Sequence, residues 1–268
     1  MTTVLRALSL GELLDRAFTL YRRHFVVFVA IVAVPNLAVL GLQLLNLATL
    51  GDGGSLLMQL GFLVATMATS LLTYSMSQAA SIVAVSELHL DRPITIAGAY
   101  RAIGHRVLAI CGITVLVGIL ITVGFLMLIL PGIYLVLRWS LVIPVAVLED
   151  AGAITAMERS GELTRGDLGR ILVIYVLYFL LAMVFSSVWM IPVGILVVMS
   201  GGDPTDLSLA LQVIIQVGSY LVTCLFGPLL TIAMSLVYYD ERVRKEAFDL
   251  EHLLAQVEGK TGASPSPA

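Results

Sequence analysis

Long apolar segments separated by short polar stretches dominate the chain. A helix rises about 1.5 Å per residue, so about 20 apolar residues cross a hydrocarbon core about 30 Å thick. The segments that reach or approach this length are predicted membrane spans, and they cover residues 24–45, 56–86, 107–130, 133–148, 171–199 and 207–239. The pattern therefore predicts an all-α fold: a polytopic bundle of six transmembrane helices in a single domain over residues 1–258.

The fourth predicted span is the shortest, because residues 133–148 number only sixteen. Pro131 and Gly132 separate it from the third span. Proline and glycine mark turns, and proline also interrupts helices. These two residues therefore indicate either a tight turn between two full spans or a kink in a re-entrant hairpin.

Amphipathic helices are predicted beside the spans, over residues 9–23, 153–165 and 240–257. In the first of them the apolar residues recur at helical spacing, at Leu10, Leu13, Leu14, Ala17, Phe18 and Tyr21. Ser9 and Glu12 form a capping-box pattern, in which each side chain binds the backbone N–H of the other residue. Such a helix lies in the membrane interface. It serves either as a collar that stabilises the bundle, which we favour, or as a helix that binds a partner or senses lipid.

The last amphipathic segment continues from the sixth span. Its apolar residues recur every three or four positions, and Val243, Ala247, Leu250 and Leu254 are candidate partner-binding residues. The pairs Asp240–Arg244 and Glu241–Lys245 are predicted i, i+4 ion pairs, each with the acid N-terminal to the base, which is the favourable orientation. Residues 259–268 are predicted to form a disordered tail because of their Ser-Pro ending.

The distribution of basic residues predicts the orientation in the membrane. Fourteen of the fifteen Lys and Arg residues lie on one side of the predicted bundle, near the two ends of the chain and in the connections around Arg101 and Arg165. The connections at residues 50–55 and 200–206 contain none. The positive-inside rule therefore places both termini in the cytoplasm. We expect the membrane to be the cytoplasmic membrane of a prokaryote.

Composition excludes a water-soluble globule. Hydrophobic residues make up 59% of the chain and charged residues only 12%, whereas a soluble domain carries about a quarter charged residues. The formal charge of −3 argues against binding to nucleic acid. The expected partners are therefore membrane lipids, and the sequence is also compatible with a protein partner or a second copy of the chain.

The second span is rich in small and hydroxylated residues. Small side chains let helices approach closely in lipid, where no hydrophobic force drives helices together. The favoured interpretation is therefore that this span is the central helix of the bundle. The alternative is a polar pathway along the span, in which Thr73, Ser77 and Gln78 contact a substrate or headgroup.

Arg138 is the one charged residue well inside a predicted span. An arginine at the bilayer centre costs about 2.5–3.5 kcal/mol on insertion scales, and such residues are often functional. No acidic residue is predicted at a matching depth in any span. Arg138 either extends toward the interface and makes structural hydrogen bonds, which we favour, or contacts a substrate or lipid headgroup.

The sequence shows no pattern of a catalytic, cofactor or metal site. It lacks the GxSxG, P-loop, HExxH and CxxC motifs. The four His residues are scattered, without the spacing of metal ligands. We therefore expect no cofactor, no metal and no enzymatic activity.

Several short motifs resemble one known family. They are Pro131-Gly-Ile-Tyr134, Arg138, Pro144, Glu149, Ala156, Arg159-Ser160, Gly166, Arg170 and, most specifically, Tyr239-Asp-Glu-Arg-Val-Arg-Lys-Glu-Ala-Phe-Asp-Leu250. Together they resemble the membrane domain attached to bacterial glycerophosphoryl diester phosphodiesterases and its stand-alone relatives. The resemblance extends from the N-terminal helix to about Leu254, with Ala247 where the family often has Gly. It implies a membrane module without phosphodiesterase activity, since the catalytic residues have no counterpart in this chain.

Two classes of function follow from these patterns. The leading hypothesis is a non-enzymatic membrane module that scaffolds a partner or organises lipid. The alternative is a transporter or lipid flippase that uses the polar face of the second span and Arg138. A continuous polar cavity inside the bundle favours transport, whereas a tightly packed bundle favours the module.

Overall fold

The computed structural model describes the backbone of residues 8–50, 55–90, 92–199 and 208–261, and the side chains of these residues except residues 50 and 247–261. The described chain is helical and contains no strand. Six of its helical segments are long and apolar enough to cross a membrane. The predicted all-α polytopic bundle is therefore confirmed, and the chain is a multi-pass membrane protein.

The described residues form ten α-helices. Their bounds are α1 Leu10–Arg23, α2 Phe25–Leu50, α3 Leu56–His89, α4 Ile96–Ile103, α5 Val107–Met127, α6 Ile129–Arg138, α7 Val142–Leu148, α8 Ala153–Leu163, α9 Leu168–Met199 and α10 Leu209–Thr261. Helix α4 is an addition to the prediction, and a single 3-10 turn joins it to α5. The predicted tail began at residue 259, but α10 extends to Thr261, and residues 262–268 lie outside the described part of the chain.

The capping box at the start of α1 is confirmed. The Ser9 hydroxyl accepts from the Glu12 N–H at 3.3 Å, and the Glu12 carboxylate accepts from the Ser9 N–H at 2.8 Å. Leu13 and Ala17 on the apolar face of α1 are buried. Helix α1 packs on α10 and α2, so its apolar face covers the bundle.

The fourth predicted span is not one helix but two. Trp139, Ser140 and Leu141 separate α6 from α7. The break before α6 falls at Leu128, which is extended, rather than at Pro131-Gly132. Pro131 lies in the first turn of α6, where a missing backbone N–H leaves no hydrogen bond unmade.

Hydroxyl groups of α8 satisfy the backbone at the break between α6 and α7. The Arg138 carbonyl accepts from Ser160 Oγ at 2.9 Å and from Thr164 Oγ1 at 3.2 Å, and the Leu141 N–H donates to Ser160 Oγ at 3.3 Å. Non-helical backbone is tolerated in a membrane protein where such partners exist. These contacts explain why the break persists inside an apolar segment.

The core lies toward one end of the bundle, where α1, α4 and α8 also lie and which we call the arginine-rich end. Its fully buried side chains come from eight of the described helices, and they include Leu13, Phe28, Ile31, Ala79, Ala80, Ala84, Ala99, Val142, Ala146, Ala156, Ile171, Ile174, Ile232 and Tyr238. Small residues of α3 let neighbouring helices approach at this end. At the opposite end, the apolar side chains near the helix ends are exposed, as expected for surface that faces lipid.

Candidate functional site

A clamp on Leu8 closes the arginine-rich end. The Leu8 N–H donates to Asp240 Oδ1 at 2.7 Å, and the Leu8 carbonyl accepts from Arg170 at 3.1 Å and from Arg244 at 2.6 Å. Arg170 also pairs with the buried carboxylates of Asp240 at 2.5 Å and Glu241 at 3.2 Å. The clamp therefore fastens the segment before α1 to α9 and α10.

A second ion-pair group joins α7, α8 and α10. Glu149, directly after α7, accepts from Tyr238 Oη at 2.8 Å and lies 3.5 Å from Arg159. Arg159 pairs with Glu246 at 2.5 Å. Burial alone would lower the pKa of Arg159, but these two carboxylates outweigh it and raise that pKa above its ordinary value. The guanidinium therefore stays charged.

Lys245 of α10 caps the C-terminal end of α8. Its ammonium group donates to the carbonyls of Glu162, Leu163 and Arg165 at 2.7, 2.9 and 2.8 Å. A cation stabilises a helix C-terminus because the last carbonyls lack partners within the helix. The predicted pair Asp240–Arg244 is confirmed at 2.9 Å. The predicted pair Glu241–Lys245 is wrong, because Glu241 pairs with Arg170 and Lys245 binds the carbonyls at and just after the end of α8. Residues 238–246, which we call the α10 hub, thus hold α7, α8, α9 and the segment before α1 together.

Arg138 lies beside α8 at the break in the fourth span. Its Nη1 donates to Tyr134 Oη at 2.9 Å, and its guanidinium lies against Gly161, where an added Cβ would lie 3.0 Å from Nε. A cavity of about 530 Å³ opens here, and we call it the mixed-charge cavity. Its lining includes Tyr134, Arg138, Glu158, Glu162 and Arg165. The spans offered no acidic residue near Arg138, but helix α8 supplies two.

The polar residues of α3 divide between packing and cavities. Two interior cavities of about 280 and 300 Å³ share Tyr74, Gln78 and Thr231 in their linings. Ser77 lines the second cavity, and so does Ser81, whose buried hydroxyl has no hydrogen-bond partner in the described part of the chain. The remaining polar side chains that line these two cavities are neutral, and they include Asn36, Thr114, Ser140 and Thr223.

Thr73 and Arg138 do not belong to these interior cavities. Thr73 is buried and donates to the Ser70 carbonyl at 3.1 Å. The mixed-charge cavity shares no lining residue with the interior pair. The structure therefore brings Ser77 and Gln78 together and separates Arg138 from them.

A groove runs between α1 and the spans α9 and α10, and we call it the α1 groove. It consists of two cavities of about 250 and 770 Å³, whose linings share Phe18, Leu181 and Leu229. The smaller cavity is lined by apolar residues and Tyr178, whereas the larger also meets Asp15 and Arg22 on the polar face of α1. The groove therefore combines an apolar floor with a charged rim.

Tyr21 holds the wall of the α1 groove in place. Its hydroxyl donates to the Leu225 carbonyl of α10 at 2.5 Å. Burial raises the pKa of Tyr21 to about 12, so the hydroxyl remains a hydrogen-bond donor at neutral pH. This contact lies one turn before Pro228, whose missing N–H removes the helical partner of the neighbouring Cys224 carbonyl.

The candidate partner-binding stripe is described in part. Val243 is half-buried, and the side chains of Ala247, Leu250 and Leu254 lie outside the described residues. The ion pairs of Arg159 with Glu246 and of Arg170 with Asp240 were missed, because no pattern along the chain relates these residues to each other. Their one signal in the sequence is the set of motifs that resembles a known family.

A sequence model of one family covers most of the elements just described. The family is the membrane domain of glycerophosphoryl diester phosphodiesterase, and its model matches residues 110–261, more than half of the chain. The chain belongs to this family. No curated protein and no solved structure shows a significant match to the chain.

The match to the glycerophosphoryl diester phosphodiesterase membrane domain includes the α10 hub and the mixed-charge cavity. Helices α1 to α4 precede the matched range. The family is the membrane part of such an enzyme rather than its catalytic domain. Membership therefore carries a membrane role, and it carries no phosphodiesterase active site to this chain.

Proposed function

We propose that the chain is a non-enzymatic membrane module that organises lipid, with the α1 groove as its lipid site. The observation that carries this proposal is the pairing of an apolar floor with Asp15 and Arg22 at the rim. A phospholipid has the same profile, since its chains are apolar and its headgroup is charged. An amphipathic helix at the interface meets both parts of such a molecule.

The exposure of the groove supports access from the bilayer. Phe18 and Leu177 line the groove and are exposed, so an acyl chain reaches it without opening the bundle. The floor is formed by Leu181 and Leu229, which belong to different spans. A chain seated there would fill the space between α9 and α10.

A bulky substitution in the groove tests the proposal. Leu181→Trp adds an indole between the two cavities, whereas the neighbouring Leu180→Trp adds the same bulk to an exposed position that does not line the groove. Purified proteins would be compared by mass spectrometry of retained phospholipid. We expect Leu181→Trp to retain roughly tenfold less lipid, equivalent to about 1.4 kcal/mol, and Leu180→Trp to match the natural chain. Equal retention by the two variants would refute the groove as a lipid site.

The interior cavities favour a second candidate, a transporter or lipid flippase. They meet at Tyr74, Gln78 and Thr231 and place neutral polar groups inside the bundle. A transport pathway needs such groups at membrane depth. In proteoliposomes, Gln78→Leu should slow lipid or solute movement if this candidate is correct. If the module hypothesis is correct, neither the natural chain nor Gln78→Leu should move lipid or solute faster than protein-free vesicles do.

The scaffolding part of the leading hypothesis rests on the last helix. Its apolar positions Val243, Ala247, Leu250 and Leu254 recur at helical spacing, and the backbone is helical through all of them. A protein partner or a second copy of the chain would dock on this stripe.

A further inference from the structure

The mixed-charge cavity brings charges of both signs together beside apolar surface. Arg138 and Arg165 line it with Glu158 and Glu162. The Arg138 guanidinium makes one side-chain hydrogen bond, to Tyr134, and Glu162 lies 3.6 Å from Arg159. Within the described residues, the side chains of Glu158 and Arg165 make neither an ion pair nor a hydrogen bond. Positive and negative hydrogen-bonding capacity is therefore left over in one cavity.

Two apolar rows lead away from this cavity along neighbouring helices. On α6, Leu130 and Tyr134 precede Arg138 at i, i+4 spacing and are exposed. On α9, Leu172 and Val176 follow Leu168 at the same spacing and are also exposed. Residues four apart share a helix face. The charged cavity thus lies at the head of two apolar tracks, one on α6 of the broken fourth span and one on the long helix α9.

We propose that the mixed-charge cavity binds the headgroup of a zwitterionic phospholipid that bears a primary amine. The phosphate lies against Arg138 and Arg165, because the guanidinium fork matches phosphate oxygens. The ammonium group donates to Glu158 and Glu162, and the acyl chains lie along the rows on α6 and α9. Helix α8 holds this arrangement, since its last carbonyls bind Lys245.

A primary amine fits the lining better than a quaternary one. Carboxylates accept hydrogen bonds from an ammonium N–H, and a choline group has none to give. Choline sites use several aromatic faces, whereas the mixed-charge cavity has Tyr134 as its one aromatic side chain among the described lining residues. An anionic headgroup without an amine would leave both glutamates facing a negative charge.

This site is distinct from the α1 groove. Leu168 lines the mixed-charge cavity and Leu177 lines the groove. Leu177 follows Leu168 by nine residues, which is about two and a half helical turns and about 14 Å along α9. The mixed-charge cavity and the α1 groove share no lining residue, so either site can fail without the other.

The first test compares lipids on the natural chain. Purified protein in detergent would be titrated with phosphatidylethanolamine, phosphatidylcholine and phosphatidylglycerol of identical acyl chains, and binding would be followed by native mass spectrometry. We expect phosphatidylethanolamine to bind at least tenfold more tightly than the other two. Equal affinities would overturn the proposal. Soluble phosphoethanolamine at the same concentration should not displace the lipid, and displacement would overturn the assignment to a membrane lipid.

The second test separates the two charges. Glu158→Gln should lower the affinity for phosphatidylethanolamine about tenfold and leave the other two lipids unchanged, while Arg138→Gln should weaken all three. The controls are Glu87→Gln in the last turn of α3 and Arg92→Gln just after that helix, a partly exposed pair, and both variants should bind as the natural chain does. A Glu158→Gln variant that keeps the full preference for phosphatidylethanolamine would overturn the proposal. Leu181→Trp in the α1 groove should leave this preference intact.

Discussion

Leu8 is held through its backbone rather than its side chain. Its N–H and carbonyl both bind charged groups, from Asp240 on one side and from Arg170 and Arg244 on the other. The Asp240 side chain is 2% exposed, so its charge depends on these partners. A buried charge that loses its partner is costly, whereas an exposed ion pair contributes little.

Asp240→Asn is expected to destabilise the protein by about 3 kcal/mol, since it leaves the buried Arg170 without its nearest full charge. The matched control is Asp150→Asn, which removes the ion pair between Asp150 and Arg106. The Asp150 carboxylate is 81% exposed, so this change should alter the free energy of unfolding by less than about 1 kcal/mol. Thermal unfolding in one detergent would measure both. A similar Tm for the two variants would show that the clamp contributes no more than a surface pair.

Two of the three predicted local contacts form, Glu241–Lys245 being the exception, whereas the distant contacts were not predictable from the sequence. Ser9 with Glu12 and Asp240 with Arg244 are pairs three and four residues apart, which helix geometry brings together. Arg159 and Glu246 are 87 residues apart, and no periodicity relates them. The surroundings of Arg138 were missed for the same reason, because its neighbours Glu158 and Glu162 belong to another helix.

At the scale of elements, the hairpin of α5 and α6 depends on two glycines. A Cβ on Gly132 would overlap the Phe125 ring at Cγ, and a Cβ on Gly124 would lie 2.8 Å from Leu135 Cδ1. The helices approach so closely here because both side chains are absent. The sequence Pro131-Gly132 predicted a turn or a kink, but the structure shows that Gly132 lets α5 and α6 pack closely and is not part of the turn.

Gly132→Ala is therefore expected to destabilise the hairpin by about 1–3 kcal/mol through overpacking. Gly118→Ala on α5 is the control, since an added Cβ there meets no atom within 4 Å and alanine favours helix. Thermal unfolding in detergent compares the two. If Gly132→Ala unfolds at the temperature of the natural chain, Phe125 moves aside without cost and the close packing is not a constraint.

At the scale of the whole molecule, the membrane makes the architecture readable from hydropathy. Backbone groups in lipid must be satisfied within the segment, so each long apolar run becomes a helix. That rule gives the number of spans and the fold class. It does not give the break at residues 139–141, the α1 groove or the interior cavities, because these depend on which helices become neighbours.

The orientation of the bundle is a prediction with a direct test. In a background of Cys111→Ala and Cys224→Ala, the exposed positions Ser55 and Ala102 would each be replaced by cysteine. We expect an impermeant thiol reagent applied to intact cells to label Ser55→Cys and not Ala102→Cys, because basic segments remain in the cytoplasm. Labelling of Ala102→Cys from outside would reverse the predicted orientation.

The clamp on Leu8 has a consequence for biosynthesis. Leu8 and Asp240 are 232 residues apart, and a ribosome adds about 5–20 residues per second. Helix α1 therefore waits roughly 10–50 s after its own synthesis before its partner emerges. During that interval α2 is present, but α10, the helix that α1 contacts most, is not. The amphipathic character of α1 lets it rest on the bilayer surface meanwhile, so that α1 completes its docking only when α10 arrives.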